Sequence, residues 1–182
     1  MENMPKVSVI IPIYNAAEFL GECLDSVLAQ TLTDIEVICV NDGSPDNSLE
    51  ILREYEKKDS RIKIIDQKNQ GAGAARNHGM SVARGEYLSF LDSDDFFDKD
   101  MLKDAYEAAH ACEADVCVFD ADLFNHTTKT FRKCTWAFRR QFFPDRNPFS
   151  PLDEDVRENI FRMFNGWPWD KLFRREFVQK IG

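Results

Sequence analysis

The chain has 182 residues, 43% of them hydrophobic and 30% charged, and a net charge of −9. That is enough for one full core, too little for two ordinary domains, and too apolar for a disordered chain. The acidic balance excludes nucleic acid as the main partner, because phosphate backbones need a basic footprint, and no apolar run reaches the roughly 20 residues that span a bilayer.

Val7 to Ile13 is a nearly continuous apolar run, as expected of a strand buried on both faces. Ala17 to Gln30 carries Phe19, Leu20, Cys23, Leu24, Val27 and Leu28 at helical spacing. A second strand, Ile35 to Val40, runs into Asn41-Asp42-Gly43-Ser44, and Asp46 or Asn47 suits the N-cap of a helix over Ser48 to Lys57. Ile62 to Ile65 predicts a third strand, and Gly71 to Ala83 a helix. Tyr87 to Leu91 predicts a fourth strand, Lys99 to Ala111 a helix and Val116 to Phe119 a fifth strand. Asp122 to Ser150 has no clear element; Asp153 to Asn165 reads as helix, Gly166 to Trp169 interrupts it, and Lys171 to Ile181 reads as helix again.

This alternation predicts an α/β fold with a mostly parallel, doubly wound sheet and helices on both faces. Ligands of such sheets bind beyond the carboxyl ends of the strands. Two strands end there in acids, at Asp42 and at Asp92-Ser93-Asp94-Asp95. Carboxylates this close repel one another unless a cation intervenes, and hard ions such as Mg²⁺ or Mn²⁺ suit oxygen ligands and bridge to substrate phosphates.

The five cysteines (Cys23, Cys39, Cys112, Cys117, Cys134) are odd in number and lack paired spacing, which reads as reduced thiols. His78, His110 and His126 are scattered and read as structural or solvent-facing. Met1 to Lys6 shows no signal-peptide pattern, so a cytoplasmic location is expected. Between Lys129 and Arg146 six basic residues interleave with Phe131, Trp136, Phe138, Phe142 and Phe143. This segment reads either as a surface element with its rings turned inward or as a peripheral contact with anionic lipid at the inner face of the membrane.

Four motifs in order, Pro12-Ile13-Tyr14-Asn15, Asn41-Asp42-Gly43-Ser44, Asn69-Gln70-Gly71 with Ala75-Arg76-Asn77, and Asp92-Ser93-Asp94-Asp95, closely resemble the nucleotide-binding half of glycosyltransferase family 2. Trp169 to Arg174 is similar, more weakly, to a segment of bacterial polysaccharide enzymes in that family. The resemblance implies a GT-A, Rossmann-like three-layer sandwich. Residues 1–182 would form one domain, with a nucleotide-binding half at 1–120 and part of an acceptor-side half at 121–182. It also implies an inverting, metal-dependent hexosyltransferase with Mn²⁺ or Mg²⁺ as cofactor. The donor would be a nucleoside-diphosphate sugar, UDP favoured, and the acceptor a saccharide or lipid-linked hydroxyl in surface polysaccharide synthesis.

By that resemblance the nucleotide is held by Pro12, Tyr14, Asn15, Asp42, Asn69, Gly71, Arg76, Asp92 and Ser93. Asp94 of the Asp-x-Asp motif holds the metal, and Trp169 and Lys171 face the acceptor. Asn41 departs from the family's frequent Asp-Asp-Gly-Ser. No acidic pair suited to a general base follows Trp169, so a base beyond Gly182 and a truncated chain are expected, with Asp170 as the fallback base. The alternatives are a domain that binds nucleotide and metal without transfer, and a nucleotidyltransferase. The latter wants a glycine-rich loop with a basic residue after the first strand, which Pro12 to Ala17 does not supply.

Overall fold

The computed structural model describes residues 4–135, 139, 142–145, 147–157, 163 and 166–181. In chain order the elements are β1 (Val7–Ile13), α1 (Leu20–Leu28), β2 (Ile35–Asp42), α2 (Ser48–Lys58), β3 (Ile62–Gln67), α3 (Ala72–Val82), β4 (Tyr87–Phe90) and α4 (Met101–Ala111). There follow β5 (Val116–Val118), β6 (Asp122–Asn125), β7 (Thr130–Lys133), α5 (Glu154–Arg157), β8 (Lys171–Arg174) and α6 (Arg175–Ile181). Six strands make one sheet in the order β3-β2-β1-β4-β8-β5, and β6 and β7 form a separate antiparallel hairpin.

The first four strands are parallel, as the alternation predicts, with Ile10 level with Ile38 on one side and with Phe90 on the other. Every residue of β1 and β2 is buried. Alternation along them divides the core into two layers. Ile10, Ile38, Val40, Leu88 and Phe90 pack with Ala75 and Met80 of α3 and Val178 of α6. Gly79 lets α3 approach closely, since a Cβ there would lie 2.5 Å from Ile10 Cγ2. On the other face Tyr87 meets Tyr106 of α4 edge-on at 5.8 Å. The sheet therefore carries helices on both sides.

Packing divides the chain into two compact units, one comprising residues up to Cys117 and those from Leu172 onward, the other Val118–Lys171. The stretch after residue 120 is thus shared between them. Three expectations need correction. Lys171–Arg174 is a strand, pairing antiparallel with β4 so that Leu172 lies level with Ser89, and only Arg175–Ile181 is helical. Asp122 to Lys133, read as patternless, is the β6–β7 hairpin, whose Asn125 Oδ1 accepts the Thr127 and Thr128 amides at 3.0 and 2.9 Å. The first helix begins at Leu20, not Ala17. Of the helix expected over Asp153 to Asn165, Glu154–Arg157 is helical, and 158–162, 164 and 165 lie outside the described residues.

Candidate functional site

Three strand ends meet at the carboxyl rim of the sheet. Pro12 lies in the β1 ladder to β2, level with Val40, while β4 pairs with β1 only as far as Ile10 and Phe90. A proline has no N–H to donate, so it suits a place where one neighbouring ladder has already ended. Past Phe90, β4 leaves the ladder and runs directly into Asp92-Ser93-Asp94-Asp95.

The loop after β1 is held from β2. Asn15 adopts a left-handed conformation (φ 54°), and its N–H donates to Ser44 Oγ at 3.3 Å. Asp46 Oδ2 accepts the Ala17 amide at 2.9 Å, its Oδ1 accepts Ser48 Oγ at 2.6 Å, and Ser48 Oγ accepts the Ala16 amide at 3.2 Å. Asp46 therefore joins two loops, a larger task than capping α2. These bonds fix the turn that displays Tyr14, whose side chain is 53% exposed at the rim.

Asp42 ends β2 and is buried, yet it has ample partners. Its Oδ1 accepts Gln67 Nε2 at 2.8 Å and the Gln70 amide at 2.9 Å, and its Oδ2 accepts the Gly71 amide at 2.8 Å. Burial alone raises the carboxyl, but these three bonds outweigh it and hold Asp42 below the usual carboxylate range. The start of α3, where free N–H groups and the helix dipole favour an anion, is thus met by a carboxylate of the protein itself. With about two acceptor directions per oxygen, Oδ2 takes one hydrogen bond of the two it can accept, in a residue only 2% exposed. Gly43 (φ 68°) makes the crossing possible, because a Cβ there would come within 2.9 Å of the Asn69 amide. Gly71 and Gly73, by contrast, have nothing within 4 Å of where a Cβ would stand.

Asn41 explains its own departure from the family pattern. Its Nδ2 donates to Asp66 Oδ1 on β3 at 2.7 Å, and its Oδ1 accepts the Ser44 amide at 3.3 Å. A carboxylate at 41 would face Asp66 with two acceptors and no donor.

At the end of β4, Arg76 Nη2 binds Asp92 Oδ1 at 2.5 Å, while Arg76 Nε is buried without a hydrogen-bond partner. Among the described residues Arg76 is the one cation paired with this acidic turn. Burial, then the charges of Asp94 and Asp92, push the carboxyl of Asp95 up to about 6, even though its side chain meets water. Burial is the larger part of that shift, and the like charges of Asp94 and Asp92 add to it. Among the described residues no three His, Cys, Asp or Glu side chains converge into a preformed metal cage. The donor set therefore fits a hard divalent ion that takes one or two carboxylates and completes its shell with water and phosphate oxygens.

The structure brings together Arg76 with Asp92, Asp42 with Gly71, and Asn15 with the β2 loop. Ser93 lies half-buried and Asn69 exposed near the same strand ends. Trp169, Asp170 and Lys171 belong to the other compact unit. There Lys171 Nζ donates to Asp170 Oδ1 and to the Trp167 carbonyl at 2.7 Å, and Asp170 Oδ2 is buried with no hydrogen-bond partner. Asp170 is thus buried and ion-paired with Lys171. Sequence reasoning assigns Gln67 and Ser48 no site role, quotes Asn41 and Ser44 only as parts of a motif and reads His78 as structural or solvent-facing; the partners of all five are brought close only by the fold.

The family model described as Glycosyl transferase family 2 matches residues 8–182. The chain is 48% identical over 180 residues to the uncharacterised glycosyltransferase EpsJ of Bacillus subtilis and 42% identical over 185 residues to glycosyltransferase GlyG of Streptococcus pneumoniae. Those matches cover 97% and 96% of this chain but 50% and 58% of the relatives, so the chain spans about half the length of the curated relatives it matches. Among solved structures, residues 1–349 of Staphylococcus aureus TarS in complex with UDP superpose with a TM-score of 0.77 at 27% identity, over 97% of this chain and 48% of that one. A Pyrobaculum calidifontis mannosyltransferase, solved with GDP-Man and Mn²⁺, superposes at 0.68 with 20% identity, over the whole of this chain and 48% of that one, which shows a shared fold. With the four rim motifs in order on a GT-A sheet, the chain belongs to glycosyltransferase family 2.

Proposed function

We propose that this chain binds a nucleoside-diphosphate sugar, UDP favoured, across the carboxyl ends of β1, β2 and β4, and serves its transfer with inversion to a saccharide or lipid-linked hydroxyl in surface polysaccharide synthesis. The observation that carries this reading is the Arg76–Asp92 pair set beside Asp94 and Asp95 at the end of β4, where no second cation is paired among the described residues. The exposed ring of Tyr14 offers a face for the base, and Asp42 keeps one acceptor direction for an imide N–H or a ribose hydroxyl. TarS, with its similarity above the level of fold alone, has been solved with UDP and with UDP-GlcNAc.

Asp94, with Asp92 beside it, would hold Mg²⁺ or Mn²⁺, which when bound supplies Lewis-acid neutralisation of the diphosphate leaving group. Arg76 keeps Asp92 turned toward that place, and Tyr14 and Asp42 fix the nucleoside. Asp170, buried with its Oδ1 paired to Lys171, is not assigned the role of general base. The basic, aromatic segment from Lys129 supports peripheral contact with anionic headgroups, with Phe131 exposed on β7; Trp136, Phe138, Arg140 and Arg146 lie outside the described residues. Sedimentation with anionic vesicles at low salt tests that part, and a chain left in the supernatant removes it.

Calorimetric titration of UDP, with GDP as control, in Mn²⁺ and in EDTA, with Asp94→Ala alongside, tests the site. The expected result is UDP binding that needs the metal and weakens at least tenfold in the variant, the scale of one lost charge-assisted contact. Binding of neither nucleotide overturns the reading, and a preference for GDP overturns the choice of base.

A further inference from the structure

Nothing assigned so far uses His78, an exposed residue of α3. Its Nδ1 lies 2.7 Å from Gln67 Oε1, and the same Gln67 donates through Nε2 to Asp42 Oδ1 at 2.8 Å. These contacts determine one another. Three hydrogen bonds hold the Asp42 carboxyl below the usual range, so it is ionised at neutral pH and only accepts. The amide nitrogen of Gln67 must therefore face Asp42, and its oxygen must face His78. His78 Nδ1 must then carry a hydrogen. Neutral imidazole protonated at Nδ1 and imidazolium both meet that demand, so the chain of bonds holds in either charge state.

We propose that His78 and Gln67 are positioning residues for the donor nucleotide. Together they form a relay, His78 to Gln67 to Asp42, that locks the Asp42 carboxylate so that the second acceptor direction of Oδ2 is presented to a ring N–H of the base. The inference rests on the proposed nucleotide site and adds a selection rule to it. A carboxylate that only accepts favours uracil, whose N3 carries a hydrogen, and opposes cytosine, whose N3 carries a lone pair. Loosening the amide that holds Asp42 lets the carboxylate turn, which costs affinity and, more tellingly, discrimination.

The sequence places these residues far apart, at 42, 67 and 78, and the fold joins them through the β2–β3 ladder, where Asp42 lies level with Gln67, and through the packing of α3 over β1 and β2. Because His78 is on the surface, its loss leaves no cavity, and a structural role alone predicts no change in nucleotide choice.

The test is calorimetric titration of UDP and CDP in Mn²⁺ with the wild-type chain, His78→Phe, His78→Asn and Gln67→Glu. His78→Phe removes the donor and is expected to weaken UDP about threefold to tenfold, the range of one net hydrogen bond, and to narrow the UDP-to-CDP ratio by a similar factor. His78→Asn places an amide N–H where Nδ1 stood and is expected to restore both. Gln67→Glu sets a second carboxylate against Asp42 and is expected to cost UDP at least tenfold. Nitrogen-15 NMR of the imidazole, simple in a chain with three histidines, is expected to show His78 protonated at Nδ1 before any ligand is added. Wild-type affinity and wild-type selectivity in His78→Phe, or a neutral His78 protonated only at Nε2, overturns the relay while leaving the nucleotide site standing. Failure of the wild type itself to bind UDP overturns both.

Discussion

Strand β2 carries a buried carboxylate near each end, and the two rims of the sheet treat them differently. At the amino rim Glu36 is satisfied wholly by the protein. Its Oε1 accepts Ser8 Oγ and the Arg84 amide, each at 2.6 Å, and its Oε2 accepts Lys63 Nζ at 2.6 Å with Arg84 Nε at 3.6 Å. At the carboxyl rim Asp42 Oδ2 accepts one hydrogen bond, and of Asp92, Asp94 and Asp95 only Asp92 is ion-paired among the described residues, with Arg76. One rim closes on itself and fixes the register of the strands. The other retains negative charge, which is what a site for a metal-bound diphosphate requires. Stability and function are thereby separated by the length of one strand, and substitutions should separate them as well.

The largest expected effect lies at the closed rim. Glu36→Ala leaves Ser8, the Arg84 amide and a cavity without a partner, and should cost about 3 kcal/mol, lowering Tm by roughly 8 °C. The UDP affinity of the remaining folded protein should not change. Burial raises the Glu36 carboxyl, and its bonds from Lys63, Ser8 and the Arg84 amide outweigh that and lower it. A lowered folded-state value means that the stabilisation is fully present above the unfolded carboxylate pKa of about 4.3 and is lost as pH falls through the folded value. Glu36→Gln should therefore lose part of the acid sensitivity of the wild type, and an unchanged acid limb in denaturant melts would remove Glu36 from this role.

Arg76→Ala addresses the open rim. Asp92 then loses its counter-charge beside two other carboxylates, and UDP binding in Mn²⁺ should weaken by about ten- to a hundredfold, while Tm moves little. A large fall in Tm with unaltered affinity would show that the pair belongs with the closed rim after all. Tyr14→Ala comes next, with a loss of about 1–2 kcal/mol in UDP affinity, the scale of one base stacked on one ring. Inorganic diphosphate with Mn²⁺ should bind this variant as it binds the wild type, and equal losses for both ligands would count against stacking.

Much of the open rim was legible because it is local. Each motif follows one strand, and an apolar run that ends in acids announces both the strand and the place where ligands meet such sheets. What escaped the sequence depends on distant partners. Strand β8 is four residues long, Lys-Leu-Phe-Arg, and owes its extension to pairing with β4 more than eighty positions earlier, so its local pattern passed for helix. The β6–β7 turn has Lys129 rather than glycine in the left-handed conformation (φ 53°), which removes the usual hairpin signal. His78 gave no sign of a role, since a histidine eleven residues from a glutamine has meaning only once α3 lies beside β3.

The smallest effect is also the sharpest test of how the two rims differ. Asn41 is a neutral residue where the family often has an acid, and its amide is the donor that Asp66 requires. Asn41→Asp should cost about 1 kcal/mol at neutral pH, because two carboxylates then face each other across the β2–β3 ladder. Here the sign is the reverse of that at Glu36. A carboxyl raised by its like-charged neighbour destabilises above its folded-state value, so the deficit against the wild type should shrink as the solution is acidified and one of the pair takes a proton. The exchange Asn41→Asp with Asp66→Asn restores a donor facing an acceptor and should recover most of the stability at neutral pH. Recovery would mean that the position tolerates the family's acid once a neighbouring strand supplies the donor. A double variant as weak as the single one would mean that the donor–acceptor pairing with Asp66 on β3 does not dictate the residue at 41.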